Sequence, residues 1–415
     1  MLLLNNNDVK IRLGGYMDRI ILHVDVNNAF LSWSAVDMLK NGSRIDIRDR
    51  YAVIGGDEEA RKGVVLAKSN MCKKRGVVTG ESLYSARKKC PYLDVYKPNF
   101  KIYKYYSDLM YNYLLNYTNI IERYSVDECF LDYTNSVKLF GDPVKISYKI
   151  KNDIKNKFGF TVNVGVGNNK LEAKMASDFS KPDKVHTLFD NEIRDKMWNL
   201  PIEDLFMIGK SSSKKLREVG INTIGDLAIY DRDILVKKFK KFGSLMWEYA
   251  NGIDNSMVIY EREEAKSISA STTLSYNYSN RDEIYKVFKN LSMEVGRKLR
   301  DNKMYASVIN IWVKYADFER VSKQIKVDNA INTDEEIFIY SKLLFDKIWD
   351  DNRSIRGLCV GVSDVSHTRD TQLSLFSNNI AKDNNDSLQV ILDGIRNKYG
   401  DDSIVYASMV DKDRM

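Results

Sequence analysis

Cysteine and histidine are scarce in this chain, which has four cysteines and three histidines among 415 residues. No two cysteines lie at the spacing of zinc ligands, and the histidines are equally dispersed. This pattern argues against a structural zinc site and a disulfide framework, and free thiols are typical of a reducing cytoplasm. The cysteines are Cys72, Cys90, Cys129 and Cys359.

Long apolar runs are also missing. The run from Leu2 to Leu4 is too short for a signal peptide, and no later stretch approaches the roughly 20 apolar residues that a membrane span needs. The sequence therefore predicts no association with a membrane. Met17 stands just before the first strong strand pattern, so residues 1–17 are expected to be an N-terminal extension.

The excess of positive charge is modest. There are 64 basic and 57 acidic side chains, which gives a formal charge of +7. Such a surplus suits a phosphate backbone as partner, but it also occurs in proteins that never bind nucleic acid. The length exceeds that of one compact core, so about two to four domains are expected.

The first half of the chain alternates strand and helix patterns. Arg19 to Val26 is a nearly continuous apolar strand that carries Asp25, and Ala29 to Leu39 is typical of a helix. Ile120 to Asp132 resembles a hairpin with acidic residues in its middle. The pattern predicts an α+β domain. Further elements are expected as strands over 51–54, 63–67 and 160–165, and as helices over 103–117 and 144–157.

The second half changes character after Pro182. Residues 183–250 read as short helices with glycine breaks, and residues 266–365 as a strand-rich region with two longer helices. An Asn- and Asp-rich stretch at 382–386 predicts a linker. The helices of this half are predicted over 281–302, 333–350 and 387–398.

Three carboxylates stand at strand ends: Asp25, and the adjacent pair Asp127 and Glu128. Clustering them would cost electrostatic repulsion unless cations lie between them. Hard oxygen ligands with no histidine or cysteine nearby favour Mg²⁺ or Mn²⁺. The alternative is that Asp25 ends a strand and the pair forms a solvated turn, and spacing alone favours that alternative.

Three segments together resemble the motifs of the Y-family DNA polymerases. Tyr124 to Asp132 resembles the acidic signature of that family, and His23 to Phe30 its first metal-binding motif. Asn163 to Lys170, followed by Ala173-Lys174 and Lys181-Pro182, resembles a third motif. The motifs occur in the family's order, and the resemblance runs from about residue 18 to 376.

The resemblance implies a metal site and a nucleotide site. Asp25, Asp127 and Glu128 would bind two Mg²⁺ ions, with Mn²⁺ as a substitute, and the Val26 carbonyl would be a further ligand. Backbone amides of Asn28, Ala29 and Phe30 would meet the triphosphate of a deoxynucleotide, at the place where a strand turns into a helix N-terminus.

Two more nucleotide contacts follow from the same resemblance. Phe30 matches the family's steric gate, an aromatic ring that would clash with a ribose 2′-hydroxyl; taken alone, it would be read as a core aromatic. Lys181 matches a lysine that contacts the triphosphate, as a point charge suits a polyphosphate.

The nucleotide pocket also departs from the family pattern. In the fingers segment, Asn70 and Lys73 stand where a tyrosine and an arginine usually meet the nucleotide. Lys73 keeps the charge but not a bidentate fork, and Asn70 lacks the ring. Ala29 replaces a common aromatic residue. Altered nucleotide selection is therefore expected.

Leu205 to Leu216 resembles the helix-hairpin-helix of the family's thumb, in which Gly209, Lys210 and Ser211 would meet DNA phosphates without reading bases. Met207 replaces a usual glycine. Without the resemblance, a plain corner between helices would be the preferred interpretation.

Lys266 to Leu274 resembles the entry strand of the family's little finger, where Ser267 and Ser269 would contact the DNA backbone. The segment after this domain resembles a peptide that binds the bacterial sliding clamp from a flexible tail. Its expected contacts are Gln372, Leu375 and Phe376.

One motif points elsewhere. Gly55-Gly56-Asp57-Glu58 is similar to the active-site signature of diguanylate cyclases, which also have a palm-like fold. The aromatic residue that should follow is Glu59 here. A hairpin turn with solvated acids is the preferred interpretation.

The resemblance implies an α+β right hand with a palm, small fingers, a helical thumb and an α/β little finger. The palm is expected at 18–34 and 96–183 and the fingers at 35–95. The thumb is expected at 184–255, the little finger at 262–366, and a tail with the clamp peptide and a short helix at 367–415.

The expected enzyme is a DNA-directed DNA polymerase that performs low-fidelity translesion synthesis without proofreading. Its partners would be primer-template DNA, a deoxynucleoside triphosphate and the sliding clamp, and it would act as a cytoplasmic, nucleoid-associated monomer. A catalytically silent DNA-binding accessory protein of mutagenic repair is the alternative. A nucleotide cyclase is a further one, which should lack the thumb hairpin and the clamp peptide.

Overall fold

The computed structural model describes residues 19–59, 61, 63–261, 264–369, 380–400, 403 and 404. The chain divides into two compact units. Unit 1 contains Met1–Gly56 and Val64–Arg262, and unit 2 contains Asp57–Gly63 and Glu263–Met415. No helix in the described ranges is both long and apolar enough to cross a membrane.

The first part of unit 1 alternates strands with helices, as its sequence pattern predicts. Its elements are β1 Ile21–Val26, α1 Ala29–Lys40, β2 Ala52–Gly55, β3 Val65–Lys68, α2 Asn70–Lys74, α3 Leu83–Lys89, β4 Asp94–Tyr96, α4 Phe100–Leu114, β5 Ile121–Arg123, β6 Glu128–Asp132, α5 Val137–Phe140, α6 Pro143–Phe158, β7 Val162–Gly167, α7 Lys170–Asp178 and β8 Val185–Leu188.

A five-stranded sheet in the order β5-β6-β1-β7-β8 forms the centre of this part. All six residues of β1 are buried, because it is the middle strand and both faces of the sheet are covered. β1 runs antiparallel to β6 and β7. The predicted strand and the predicted acidic hairpin, β5 and β6, are confirmed.

Residues 185–188 differ from the sequence expectation, which placed them among short helices. They form β8, which runs parallel to β7 with Val164 opposite Val185 and Gly167 opposite Leu188. Val185 and Leu188 are buried there. A four-residue edge strand of this kind depends on its tertiary neighbours more than on a sequence pattern.

Aromatic side chains fill one face of the sheet. Tyr103 and Tyr106 of α4 are buried with Trp33 of α1 and Phe160. These two tyrosines of the helix therefore serve packing. α4 begins three residues earlier than predicted because the Asn99 side chain caps it and accepts hydrogen bonds from the first-turn amides.

A smaller sheet in the order β3-β2-β4 lies in the same unit. β2 ends at Gly55, and the Gly56 amide donates to the Val64 carbonyl at 3.1 Å. The connection to β3 is longer than the predicted glycine turn, and Asp57 and Glu58 are exposed on it. The interpretation of this motif as a hairpin connection is confirmed.

The rest of unit 1 is helical, as predicted, and its helices enclose a separate core that includes Leu216, Ile224 and Leu235. The elements are α8 Ile193–Lys196, α9 Lys210–Arg217, α10 Ile224–Ala228, α11 Arg232–Phe239 and α12 Lys241–Ala250.

Unit 2 combines a four-stranded antiparallel sheet, in the order β11-β10-β12-β9, with helices. The alternation of apolar residues over 306–315 predicts β10, and it is confirmed. The elements are β9 Ser267–Tyr278, α13 Arg281–Asp301, β10 Tyr305–Tyr315, β11 Arg320–Ile331, α14 Asp334–Asp346, β12 Ile355–Ser366 and α15 Ile380–Tyr399.

Helix α15 corrects one prediction. Residues 382–386, expected to be a linker, belong to this helix, which also extends the predicted segment 387–398. Its last turns pack on unit 2: the Asp393 carboxylate accepts a 2.6 Å hydrogen bond from Arg300 of α13, and Arg396 is buried. This anchoring supplies tertiary support that a run of Asn and Asp residues lacks by itself.

Candidate active site

The three predicted carboxylates lie at one end of the five-stranded sheet. Asp25 of β1 stands directly opposite Glu128 of β6 in the antiparallel register. Asp127 immediately precedes β6, and its carbonyl accepts a 3.1 Å hydrogen bond from the Val26 amide. Asp25 is 4% exposed, so its charge lies in a largely desolvated place. The structure therefore brings together the residues that the sequence predicted as a cluster.

Two lysines balance the negative charge of this cluster. Lys174 of α7 lies 3.0 Å from Glu128 Oε1 and 3.7 Å from Asp25 Oδ2. Lys181 donates to the same Asp25 oxygen and lies 2.8 Å from Asp178 Oδ1. Within the part of the chain that is described, no three Asp, Glu, His or Cys side chains are close enough to hold a metal ion as they stand.

The side chains of the two lysines differ in their exposure to solvent. The Lys174 side chain is 10% exposed and is enclosed between three carboxylates, whereas that of Lys181 is 34% exposed. Nearby carboxylates raise the pKa of both amines against the effect of burial, so both carry a positive charge. Lys174 is therefore a fixed counter-ion, while Lys181 has room to turn toward an arriving anion.

The adjacent carboxyls of Asp127 and Glu128 have opposite pKa shifts. Burial, reinforced by the charges of Asp25 and Glu128, raises the pKa of Asp127. Burial also acts on Glu128, but the adjacent His23 ring and the hydrogen bond and charge of Lys174 outweigh it and lower its pKa to about 2. Glu128 therefore stays ionised without a cation, whereas Asp127 gains most from an added positive charge.

His23 corrects the expectation that no histidine lies near the carboxylates. It is fully buried, and its Nε2 atom lies 3.4 Å from Glu128 Oε2. The sequence reasoning also assigned no separate role to Lys174. A signal was present for His23, because His23 and Asp25 are two residues apart on a strand and so share a face.

The residues expected near the triphosphate lie at the turn from β1 into α1. Asn28 is the N-cap and has a left-handed conformation, with φ 49° and ψ 48°. The amides that follow in the first turn have no partner inside the helix. Ala29 is buried in the core. Free amides at the start of a helix can bind an anion, and this helix start directly follows the strand that carries Asp25.

Phe30 lies half-buried at the start of α1. Its ring stacks on Tyr103, with centroids 4.5 Å apart and an interplanar angle of 11°. Phe100 meets it edge-on at 6.1 Å. The ring is thus held in one orientation by its neighbours, which a steric barrier requires and which packing alone would also produce.

Asn70 and Lys73 are exposed on α2. Among the residues that the structure covers, neither side chain makes a hydrogen bond or ion pair with the carboxylate cluster. The charge of Lys73 acts instead on Lys68, whose pKa is lowered by burial first and by Lys73 second.

The expected DNA contacts form two groups. Gly209 is the N-cap of α9, and Lys210 and Ser211 are exposed at the start of that helix. Met207, where a glycine is usual, has φ 71°, the left-handed region that glycine occupies most easily. In unit 2, Ser267 and Ser269 are exposed on alternate positions of β9, as the strand prediction requires.

The peptide predicted to bind the sliding clamp, with Gln372, Leu375 and Phe376, lies outside the described residues.

Comparison with known proteins places the chain in one family. Residues 24–178 match the model of the impB/mucB/samB family, and residues 265–375 match that family's C-terminal domain. The chain is similar to DNA polymerase IV of Clostridium acetobutylicum, with 47% identity over 96% of this chain and 100% of the relative. It is 34% identical to DNA polymerase IV 2 of Bacillus subtilis, over 94% of each chain.

A solved structure agrees on the fold. A Y-family DNA polymerase chimera superposes with a TM-score of 0.73 at 24% identity, over 84% of this chain and 100% of the chimera. The sheet with its carboxylate end, the helical region and the C-terminal sheet are thus the parts of a known architecture. The chain therefore belongs to the impB/mucB/samB family and, within it, to the bacterial Y-family polymerases of the DNA polymerase IV type.

Proposed function

We propose that the chain is a template-directed, low-fidelity DNA polymerase that performs translesion synthesis at the carboxylate cluster of Asp25, Asp127 and Glu128. The observation that carries this proposal is the register of β1 and β6, which sets Asp25 opposite Glu128 and leaves Asp127 beside them. The family membership assigns the reaction class, and this cluster gives the reaction a place in the chain.

Asp25, Asp127, Glu128 and the Val26 carbonyl would hold two Mg²⁺ ions, or Mn²⁺ in their place. The donor set fits these cations, because it consists of oxygens and because the carboxylates already require balancing positive charge. Bound divalent cations supply charge that stabilises the phosphoryl transition state and lowers the pKa of the attacking hydroxyl. The protein's own part is to keep Glu128 ionised and to hold the three carboxylates at fixed positions.

The first turn of α1 and Lys181 would bind the triphosphate. Amides from Asn28 to Phe30 and the lysine amine would all meet phosphate oxygens. Lys181 would then exchange the Asp25 carboxylate for phosphate, which its partly exposed side chain allows. This exchange releases an Asp25 oxygen at the moment when the nucleotide arrives.

Phe30 would exclude ribonucleotides. Tyr103 and Phe100 fix its ring, so a ribose 2′-hydroxyl would meet a surface that does not yield. Asn70 and Lys73 of α2 would contact the nucleotide from the other side as an amide and a point charge. Small fingers would leave the nucleotide pocket open, which fits low fidelity and synthesis past damaged templates.

The start of α9 and the exposed serines of β9 would bind the phosphates of primer-template DNA. Gly209, Lys210 and Ser211 offer amides, a charge and a hydroxyl that carry no base specificity. Ser267 and Ser269 offer hydroxyls on one face of a strand. In this scheme residues 18–34 and 96–183 are the palm, 35–95 the fingers, 184–255 the thumb and 262–366 the little finger. Strand β8 is the exception, because it lies within the range expected for the thumb but pairs with β7 in the palm sheet.

The tail would bind the sliding clamp through Gln372, Leu375 and Phe376, and the enzyme would act as a monomer at the nucleoid, in the cytoplasm. Leu375→Ala combined with Phe376→Ala should leave primer extension without the clamp unchanged and abolish its stimulation by the clamp. This double variant keeps helix α15, which a truncation would remove. Equal stimulation of the variant and the wild type would contradict this part of the proposal.

Primer extension with Mg²⁺ tests the proposal as a whole. The wild-type protein should extend a primer on an undamaged template and past an abasic site, and Asp127→Ala combined with Glu128→Ala should not extend it. Because the double variant loses transition-state stabilisation, its rate of primer extension should fall by at least about 100-fold. A double variant that extends as fast as the wild type, or a wild type that extends nothing, would contradict the polymerase assignment.

A further inference from the structure

His23 is the only fully buried histidine among the described residues, and it touches the carboxylate cluster. It stands two residues before Asp25 on β1, so the two side chains share one face of the sheet. Its ring lies against Phe130, with centroids 4.5 Å apart. A buried imidazole has to find partners for its nitrogens inside the protein.

The Nδ1 atom of His23 has such a partner. It lies 2.8 Å from the hydroxyl oxygen of Ser177, which is also fully buried. The same hydroxyl lies 2.8 Å from the Lys174 carbonyl, one turn earlier on α7. The Ser177 hydroxyl on α7 thus fixes the orientation of the His23 ring on β1.

The other nitrogen faces Glu128. The Nε2 atom lies 3.4 Å from Glu128 Oε2, and neither of these buried atoms has a hydrogen-bond partner elsewhere in the described part of the protein. Each atom left unpaired costs roughly 1–3 kcal/mol. A carboxylate rotation that shortens the distance by about 0.5 Å would satisfy both atoms at once.

The geometry assigns the proton to Nε2. A bare Nε2 lone pair would face the lone pairs of Glu128 Oε2 at 3.4 Å, which is repulsive, whereas an Nε2–H can donate to that oxygen. The Ser177 hydroxyl then donates to Nδ1 in place of the Lys174 carbonyl. Lys174 already donates to Glu128 Oε1 at 3.0 Å, so both oxygens of this one carboxylate have a donor from the protein.

We propose that His23 is a positioning residue of the polymerase reaction, which fixes the orientation of the Glu128 carboxylate and thereby sets the affinity of the cluster for a divalent cation. This inference rests on the proposed function, in which Glu128 is a metal ligand. Residues that orient a metal ligand in this way typically contribute about 10- to 100-fold to metal affinity or activity.

Mn²⁺ binding to the full chain tests this role without requiring catalysis. His23→Phe keeps an aromatic ring against Phe130 but removes both nitrogens, and it should weaken Mn²⁺ binding, measured by calorimetry or by electron paramagnetic resonance, by about 10-fold or more. His23→Gln keeps an amide donor and should restore part of the affinity. Ser177→Ala removes only the partner of Nδ1 and should give a smaller loss in a protein that folds readily.

His367 provides a matched control. Its Nε2 lies 3.1 Å from Glu264 Oε1 in unit 2, but both side chains are exposed. His367→Phe should leave Mn²⁺ binding and the Mg²⁺ requirement of primer extension unchanged. His23→Phe should raise the Mg²⁺ concentration at half-maximal rate by the same factor as it weakens Mn²⁺ binding, and it should leave the KM for the nucleotide at saturating Mg²⁺ unchanged.

A double-mutant cycle separates positioning from general destabilisation. In a Glu128→Gln background, His23→Phe should cause no further loss of Mn²⁺ affinity, because the ligand on which it acts is gone. Additive losses of Mn²⁺ affinity in the double variant would overturn the role of His23. So would a wild-type Mn²⁺ affinity in His23→Phe. If the wild-type protein still extends primers, either result leaves the proposed function intact. A wild type that extends no primer overturns the proposed function, and this inference with it.

Discussion

Lys174 at the carboxylate cluster and Lys210 at the start of α9 belong to two regions of unit 1 that use positive charge differently. Lys174 is buried and contacts the carboxylates of Asp25, Glu128 and Asp178. Lys210 is exposed and makes no ion pair with any residue that the structure describes. A buried charge acts on chemistry through fixed geometry, whereas an exposed one acts on affinity through a screened field.

The difference explains what each region can do. At the cluster, a displacement of a few tenths of an ångström changes which atoms are paired, so single substitutions there should have large effects. At the start of α9, where we propose contacts with DNA phosphates, an exposed lysine could follow a phosphate over several positions, so such contacts would tolerate any sequence of DNA.

Lys174→Met should lower the free energy of unfolding of the cation-free protein by about 3 kcal/mol, because it leaves carboxylates buried without their counter-ion. Urea denaturation in a chelating buffer measures this change, and added Mg²⁺ should recover part of it. Lys196→Met is the control, since Lys196 pairs with Glu192 at an exposed site. An equal loss of unfolding free energy in the two variants would mean that the buried lysine stabilises the protein no more than an exposed one.

Glu172 on α7 should make stability depend on pH. Burial, with a contribution from Asp190, raises its pKa from 4.5 to about 9. The folded state then binds the proton more tightly than the unfolded state does, so its contribution is complete below about pH 4.5 and is lost as the pH rises to 9. Glu172→Gln should remove this slope and stabilise the protein at pH 8 by on the order of 2 kcal/mol.

Urea denaturation of wild type and Glu172→Gln at pH 5 and pH 8 provides the comparison. The two proteins should have similar stabilities at pH 5 and should diverge at pH 8. Parallel stabilities at both values would mean that Glu172 is ionised in the folded protein.

Phe30→Leu should increase ribonucleotide incorporation relative to deoxynucleotide incorporation by roughly 10-fold, because a shorter side chain opens space for the 2′-hydroxyl. Single-nucleotide incorporation with matched ribo- and deoxynucleotides measures the ratio. Tyr105→Leu is the matched control, since Tyr105 also lies on α4 but is 56% exposed and its ring contacts Tyr106 instead of Phe30. If the ratio of ribonucleotide to deoxynucleotide incorporation is unchanged in Phe30→Leu, Phe30 serves only in packing.

Lys210→Ala should have the smallest effect. DNA affinity should fall only a few-fold, and the slope of log affinity against log salt concentration should decrease in magnitude by about 1. The rate of incorporation from bound primer-template should stay at the wild-type value. A loss of that rate would mean that this lysine acts on chemistry, which contradicts the contrast with Lys174.

The sequence predicted the carboxylate cluster through its resemblance to the Y-family motifs, because spacing alone favoured a strand end and a solvated turn. Asp25 ends an apolar strand, Asp127 and Glu128 lie in a hairpin, and the motifs around them are continuous. The α+β fold and the helical region followed from patterns of the same kind. The position of each expected contact at the starts of α1 and α9 could also be predicted, because strand ends and helix starts are marked by residue type.

What the sequence missed depends on contacts between distant segments. β8 is four residues long and exists through its pairing with β7. Helix α15 includes an Asn- and Asp-rich stretch and is anchored by the buried pair of Arg300 and Asp393. The partners of Glu128 come from β1 and α7, about 50 to 100 residues away along the chain, so spacing could place His23 beside Asp25 but could not show that His23 and Lys174 contact Glu128.

The proposed polymerase chemistry occurs at the carboxylate end of the five-stranded sheet. Single-turnover incorporation by Asp127→Asn, with DNA affinity measured in parallel, is the sharpest test of this location. The rate should be at least about 100-fold below wild type with unchanged DNA affinity, because the substitution removes a charge without removing volume. Incorporation at the wild-type rate would mean that the chemistry occurs elsewhere.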